Sequence, residues 1–356
     1  KKLGVIPQDA KLTPWPEDLI KRWEQLSDTE KKLFIKQADV FAAYVAYTDY
    51  EIGRVIQAVE DLGKLDNTLI IYITGDNGTS SEGGPTGTPN EVASVQSVHL
   101  PVEAQMQYYD VWGSDQTYPH MSVGWTWAFG TPFTWTKMVS SHFGGTKQGT
   151  AISWPRVIKD KGGIRNQFHH VIDIAPTILE ATGISMPDEV DGIKQEPMDG
   201  VSMLYTFDKK NADAPSTHET QYFEMISDRA IYHDGWILST KVMRVPWDNS
   251  GTGNHDPASW PWELYALSKD WTQFNDVADQ YPDKVKEMEE LFWQEAKRNQ
   301  VLPLDTTTFT RSLLPRPNLT AGRTVFNYSG EVTGTPNANA PNLLASSYNF
   351  KAEVEI

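Results

Sequence analysis

The sequence contains no cysteine. This excludes disulfides, thiolate metal sites and a cysteine nucleophile within the chain, and it leaves the compartment open. No apolar run approaches the roughly 18 residues that a membrane-spanning helix needs. Basic excess is missing too: 31 Lys and Arg stand against 47 Asp and Glu, a net charge of −16. Nothing is therefore available to displace counterions from a nucleic acid. A small anionic ligand stays compatible, because one cation with one or two bases can reverse the field inside a single pocket. Lys1-Lys2-Leu3-Gly4-Val5-Ile6 leads into charge and proline rather than the apolar core of a signal peptide. The first residue is not Met, and a preceding segment is expected.

What the chain does have suits a globular protein. Its 356 residues, 39% hydrophobic with 13 Trp, suffice for one large α/β domain or two smaller ones. Ser27-Asp28-Thr29-Glu30 has the form of a capping box. From Phe41 the apolar residues recur at helical spacing through Tyr44, Val45, Ile52, Val55, Ile56 and Val59 to Leu62, predicting an amphipathic helix closed by Gly63. A short turn feeds Thr68-Leu69-Ile70-Ile71-Tyr72-Ile73-Thr74, whose β-branched, non-alternating run predicts a strand buried on both faces, as in a parallel sheet.

The stretch from Gly75 to about Trp135 shows no period. Its aromatics, as in Gly124-Trp125-Thr126-Trp127-Ala128-Phe129, leave two readings: a packed surface insertion or one wall of a substrate pocket. A second strand is expected at Gly149–Trp154, and a helix opening at Val171 and ending near Gly183. Antiparallel strands are expected at 221–225, 230–232 and 236–238. Asp188–Glu196 reads as a solvated loop, and a last amphipathic helix should run from about Asp283 to Arg298. Beyond Pro303 the chain turns rich in Thr, Pro, Asn and Ser, and Tyr348–Ile356 alternates like a strand. Residues 1–300 are therefore expected to form the main domain, and 301–356 a linker and the start of a β-rich appendage.

The strongest local chemical signal is Gly75-Asp76-Asn77-Gly78, directly after the predicted strand. Ligand sites of open α/β sheets lie at the carboxyl ends of strands. An adjacent carboxylate and carboxamide offer hard oxygens that suit Ca²⁺ or Mg²⁺. By itself Asp-Asn-Gly is also an ordinary turn. His169-His170 suggests ligation, but neighbours on a strand face opposite ways, so one is expected buried and the other exposed.

The wider pattern resembles the sulfatase family, in its bacterial arylsulfatase form. Asp49-Tyr50-Glu51-Ile52-Gly53-Arg54-Val55, then Leu62-Gly63 and Asp66–Ile71, resembles the helix and turn that lead that family to a strand ending in Asp-Asn-Gly. Thr131-Pro132-Phe133 with Lys137, then Gly144-Gly145-Thr146 and Trp154-Pro155, resemble its next landmarks. Val171–Thr177, Asp199-Gly200-Val201-Ser202, and Leu264-Tyr265 with Asp270 and Asn275-Asp276 resemble its later ones, although Ala266 stands where Asp is usual. The resemblance covers about residues 33 to 300. It implies an alkaline-phosphatase-like α/β fold, present in part: a central sheet flanked by helices, with a smaller antiparallel β part towards the C-terminus.

By the same resemblance, Asp76 and Asn77 bind a divalent cation, Ca²⁺ or alternatively Mg²⁺, and Lys137 contacts a substrate sulfate. The implied activity is hydrolysis of small anionic sulfate monoesters. His142 could donate a proton to the leaving oxygen or hydrogen-bond the sulfate, with a satisfied structural histidine as the alternative. The interval from Lys137 to Gly144 is one residue longer than the commoner pattern. Lys147 stands where Arg is frequent.

The family's nucleophile is a formylglycine made from a C/S-x-P-x-R motif, and no such motif occurs here. Ser153-Trp154-Pro155-Arg156 lacks a residue and Ser312-Leu313-Leu314-Pro315-Arg316 has its proline displaced. The expectation is that an N-terminal half outside this chain carries the nucleophile and is the chain's partner, so this chain alone is not active. A phosphonate or phosphodiester hydrolase of the same superfamily is the alternative activity, and a non-catalytic binding chain the third reading. No membrane span is expected, and the site of action stays open among periplasm, cytoplasm and secretion.

Overall fold

The computed structural model describes residues 1–75, 77–248, 256–307, 320, 322–336, 339–341, 343 and 346–353. Helix α1, Asp28–Asp61, starts at the expected capping box: Glu30 N donates to Ser27 Oγ at 3.2 Å and Ser27 N to Glu30 Oε2 at 2.7 Å. Its first turns bury Leu33 and Phe34 against Val102 and Trp112. Its later turns do not reach a core. Tyr44, Val45, Val55 and Leu62, all on the predicted apolar stripe, are exposed. The period of the sequence is that of a covered helix, and the stripe is left uncovered.

A turn leads to β1, Ile70–Thr74, which pairs antiparallel with β2, Gly149–Ser153, from Ile70 opposite Ser153 to Thr74 opposite Gly149. The expected parallel, doubly buried strand is corrected here. Among the described residues β1 has β2 as its one ladder partner, and its side chains are partly exposed. Ile71 and Ile73 line a cleft of about 700 Å³ with Trp154, Ile174 and Ile178. A non-alternating apolar run reports that both faces favour burial, but it cannot report which segment covers them.

The described residues of the aperiodic stretch hold three short α-helices, α2, Glu91–Val95, α3, Val102–Gln105, and α4, Val123–Gly130, with a 3₁₀ helix, Met106–Val111, after α3. Helix α4 packs on α1. Trp125 Nε1 donates to Phe34 O at 2.7 Å, and the Phe41 and Phe129 rings lie 5.0 Å apart. Apolar residues all round α4 erase the helical period, which is why the sequence hides it. Next come α5, Phe143–Thr146, and α6, Ile174–Thr182. The span read as a solvated loop is exposed but contains a small antiparallel pair, β3, Glu189–Val190, and β4, Ile193–Lys194.

Four strands form an antiparallel meander in chain order: β5, Thr220–Met225, β6, Asp228–His233, β7, Trp236–Thr240, and β8, Trp262–Ala266. Helix α7, Pro282–Arg298, covers one face. The alternation of a strand sorts the two faces. Ile231, Leu238 and Leu264 point to Met288, Phe292 and Ala296 of α7. Ala230, Ile237 and Tyr265 point the other way, to Phe143 at the start of α5. The fold is thus mixed α/β with antiparallel sheets.

The chain divides into two compact units, Lys1–Thr307 and Thr308–Ile356. The described residues of the second contain no strand. The alternation at Tyr348–Ile356 therefore makes no strand over 348–353, since a strand needs a ladder partner, and 354–356 lie outside the described residues.

Candidate functional site

Three segments singled out by sequence meet at one crossing. Gly75, at φ 81°, takes the chain off β1. Asp76 lies outside the described residues. Asn77 is half-buried beside it. Gly78 N then donates to Gly145 O at 2.9 Å, and Gly144 N to Thr134 O at 2.9 Å. No side chain fits between these strands of backbone. A Cβ on Gly78 would stand 1.7 Å from Gly144 O, one on Gly144 2.1 Å from Thr134 O, and one on Gly145 1.9 Å from Val139 O. The Gly-Gly landmark is thus a requirement of close approach.

The same crossing delivers Lys137. Its backbone N donates to Thr79 O at 3.1 Å, and Thr136 Oγ1 to Ser81 Oγ at 3.2 Å. Trp135 and Met138 flank this pair at φ 67° and 74°, a left-handed backbone that non-glycine residues adopt at a cost where the surroundings impose it. The Lys137 ammonium reaches Glu82 Oε2 at 3.0 Å, with the two side chains 32% and 18% exposed. Ser80 Oγ donates to the same oxygen at 2.9 Å, and Ser94 Oγ fixes the Glu82 carbonyl at 2.7 Å. Burial opposes ionisation of Glu82. The hydrogen bonds from Lys137 and Ser80, with the charges of Lys137 and His120, outweigh it and hold the carboxyl below its ordinary pKa.

His142 turns elsewhere. The residue is 3% exposed, with Nδ1 at 2.9 Å from Ser141 Oγ and Nε2 at 3.3 Å from Glu263 Oε2 on β8. Burial works against the Glu263 charge, but the bond and charge of His142 and the bond from Tyr265 keep its carboxyl low. Both imidazole nitrogens are therefore engaged. Gln273 braces this loop: Phe143 N donates to its Oε1 at 2.7 Å, while its Nε2 donates to Ser239 Oγ at 3.0 Å. Lys147 stands among the rings of Trp271, Phe143 and Phe133, 3.9, 4.9 and 5.2 Å from their centroids, and burial pushes its pKa down to about 8.

Sequence reasoning missed two residues at this corner. Glu82 sits in a Ser- and Gly-rich loop, where no period marks it. Gln148 presents Oε1 at 3.1 Å from the position a Gly75 Cβ would take, and its Nε2 is buried with no partner among the described residues. The described residues contain no group of three or more His, Asp or Glu arranged to hold a metal. The donors at the corner are side-chain oxygens, the chemistry that hard cations prefer.

The histidine pair is also corrected. His169 and His170 lie in extended chain before a 3₁₀ turn, not on a strand, and both are half-buried. They serve Asp173, which is fully buried. His169 Nδ1 lies 2.9 Å and His218 Nδ1 2.8 Å from its carboxylate, and the backbone N–H groups of His170 and Val201 donate to it at 3.0 and 2.9 Å. Burial raises the Asp173 pKa, but these four contacts prevail and hold it well below the usual carboxylate range.

Residues 11–184 match the family model described as Sulfatase. An uncharacterized sulfatase of Schizosaccharomyces pombe is 29% identical over 297 residues, 82% of this chain and 49% of that protein. The arylsulfatase of Klebsiella aerogenes is 29% identical over 206 residues, 57% of this chain and 41% of that protein. An N-acetylglucosamine-6-O-sulfatase of Bacteroides thetaiotaomicron is 21% identical over 260 residues, 72% of this chain and 35% of that protein. Over residues 11–184 the chain is thus similar to the sulfatase family, and it spans about half the length, or less, of these curated relatives. No helix among the described residues is long and apolar enough to cross a membrane.

Proposed function

We propose that this chain supplies the later half of an arylsulfatase-type hydrolase of small anionic sulfate monoesters. In this reading residues 1–300 belong to the catalytic domain and 301–356 to a linker and appendage. The observation that carries it is the bond from Lys137 N to Thr79 O. It stitches the lysine segment to the loop that follows Asp76-Asn77, and the family match over residues 11–184 spans both.

Cleavage of a sulfate ester moves negative charge onto the sulfonyl and leaving-group oxygens, so fixed positive charge lowers the barrier. In this reading the Lys137 ammonium, bonded to Glu82 at 3.0 Å, also holds a sulfate oxygen. Asp76 and Asn77 would hold Ca²⁺, or Mg²⁺ in its place, with the Gln148 carboxamide close to Gly75. A bound divalent cation would supply Lewis-acid stabilisation of the developing charge. The nucleophile, a formylglycine hydrate, would come from an N-terminal segment outside this chain. His142, committed to Ser141 and Glu263, acts in this reading by holding the Lys137 loop against β8. Proton donation to a leaving group would require it to exchange Glu263 for substrate.

The test is hydrolysis of nitrophenyl sulfate against nitrophenyl phosphate esters by the full-length protein, with Lys137→Ala as control. Sulfate activity that falls about a hundredfold or more in the variant supports the reading. A preference for phosphodiester or phosphonate esters replaces it with the alternative activity of the same superfamily. Absence of a C/S-x-P-x-R motif upstream of Lys1 would remove the formylglycine mechanism and favour a non-catalytic binding chain.

A further inference from the structure

We infer that His120 is a catalytic residue of the Lys137 site: its Nε2 hands a proton to the leaving oxygen as the sulfate ester is cleaved. The inference deepens the proposed function and rests on Lys137 being the lysine that holds the sulfate.

Backbone pairing brings His120 to the site. Its N–H donates to Thr88 O at 2.8 Å and its carbonyl accepts from Thr88 N at 3.0 Å, a bridge to the loop that carries Glu82. The ring lies on Gly83. A Cβ there would stand 2.7 Å from His120 Nδ1 and 2.2 Å from Met121 O, so the close approach requires glycine. The residue before it, Glu82, accepts from the Lys137 ammonium at 3.0 Å and feels the charge of His120. The lysine and the histidine thus act on one carboxylate, in the loop that continues from Asp76-Asn77.

The second observation concerns the ring nitrogens. His120 Nδ1 lies 3.0 Å from Met121 O. A carbonyl only accepts, so Nδ1 carries hydrogen and, in the neutral ring, Nε2 carries the lone pair. Met121 and Ser122 are buried, and Ser122 N donates to the Gln37 carboxamide at 2.9 Å, so the carbonyl that orients the ring is itself fixed. Among the described residues Nε2 has no hydrogen-bond partner, yet it is not sealed from solvent. The neighbouring histidines differ. His142 is committed at both nitrogens to Ser141 and Glu263, and His99 is exposed, with a 3.5 Å contact to Ser94 Oγ.

Imidazole is the side chain best matched to proton transfer near neutral pH. The bond from sulfur to the ester oxygen breaks as the nucleophilic oxygen of the proposed hydrate bonds to sulfur. The electron pair of the broken bond stays on the leaving oxygen, which takes the Nε2 proton of the imidazolium. The ring is left neutral, with Nδ1–H still held by Met121 O, and it regains its proton from solvent. Charge on the sulfuryl oxygens falls to Lys137 and to the cation proposed at Asp76-Asn77. Charge on the leaving oxygen falls to His120.

The experiment compares leaving groups on the full-length protein. 4-Nitrophenyl sulfate departs as a stable phenolate and gains little from a proton, whereas phenyl sulfate gains much. Across a series of aryl sulfates, kcat/KM of the wild type should fall only gently as the leaving group becomes more basic. In His120→Asn the amide NH2 takes the place of Nδ1 on Met121 O, and nothing stands at Nε2. This variant should keep its Tm, slow phenyl sulfate by about a hundredfold or more, and slow 4-nitrophenyl sulfate by less than about tenfold. An equal loss on both esters marks a structural histidine and overturns the inference. Where that variant does not fold, the wild type decides. A gentle fall supports the inference, and one as steep as that of the uncatalysed hydrolysis overturns it. Either overturning result, in a protein whose sulfate hydrolysis needs Lys137, leaves the proposed function standing. A wild type inactive on every sulfate ester, or activity unchanged in Lys137→Ala, defeats the proposed function and this inference with it.

Discussion

Gly78 lies so close to Gly144 that a Cβ on the first would stand 1.7 Å from the carbonyl oxygen of the second. The contact joins the loop after Asp76-Asn77 to the start of α5, and Gly78 N reaches the neighbouring Gly145 O at 2.9 Å. Gly78→Ala must therefore push two backbones apart. We expect a loss of about 1–3 kcal/mol or more, the scale of overpacking, seen as a lower midpoint in urea. Gly53, inside α1 with nothing within 4 Å of its would-be Cβ, should do the opposite. Gly53→Ala should add about 0.5–1 kcal/mol through helix propensity. Equal midpoints for both variants would refute the assigned crossing.

Calcium should stabilise the chain if Asp76 and Asn77 hold it. A ligand that binds the folded state alone raises stability by about 2.7 kcal/mol at a hundredfold excess over its Kd. We expect a rise in Tm on calcium titration that disappears in Asp76→Ala and shrinks in Asn77→Ala. Identical titrations for wild type and Asp76→Ala would leave Asp-Asn-Gly as a plain turn.

Asp173 should dominate the acid limb of stability. Its folded pKa is depressed below the ordinary value by His169, His218 and two backbone donors. Its contribution is thus complete above about pH 4, the unfolded value, and is lost as pH falls through the folded one. His218 has the opposite sign. Burial opposes its protonation, but the bond and charge of Asp173 raise its pKa, so its share is full below about pH 6.5 and fades as pH rises through the folded value. Asp173→Asn should cost on the order of 3 kcal/mol at neutral pH, with the gap to wild type closing below about pH 4. A gap that stays constant with pH would disprove the role of the charge.

Lys147 should show itself at alkaline pH. Burial lowers its pKa from 10.5 to about 8, so the unfolded chain holds this proton more tightly. Stability then rises with pH between those values. Lys147→Met should remove that slope and add about 1 kcal/mol near neutrality, while the contacts of the stem with Trp271 and Phe143 are largely kept. Parallel stability profiles across this range would show that the amine is solvated despite its rings.

Much of the fold was legible because periodicity and caps are local. The Ser27 box, the apolar run at Ile70–Thr74, the meander around Asp234-Gly235 and the closing helix with Met288 and Phe292 all declare themselves within a few residues. Helix α4 was not legible, since a stretch apolar on every side has no period. The pairing of β1 escaped because an apolar run does not name its partner. At the site, Asp76, Asn77 and Lys137 were reached by motif order, and none of their roles by spacing alone. Glu82 and Gln273 were invisible because each matters through a residue distant in sequence, Lys137 for one and Phe143 for the other.

The Gln273 brace has a consequence for synthesis. The carboxamide that receives Phe143 N lies 130 residues further along the chain. At about 5–20 residues per second, translation needs on the order of ten seconds to bridge that interval. Throughout it, the loop bearing Lys137 and His142 has emerged without the side chain that clamps it. The loop that bears Lys137 is therefore finished late on the ribosome, after Asp228 and Glu263 have met Ser140 and His142 and only once Gln273 has followed them.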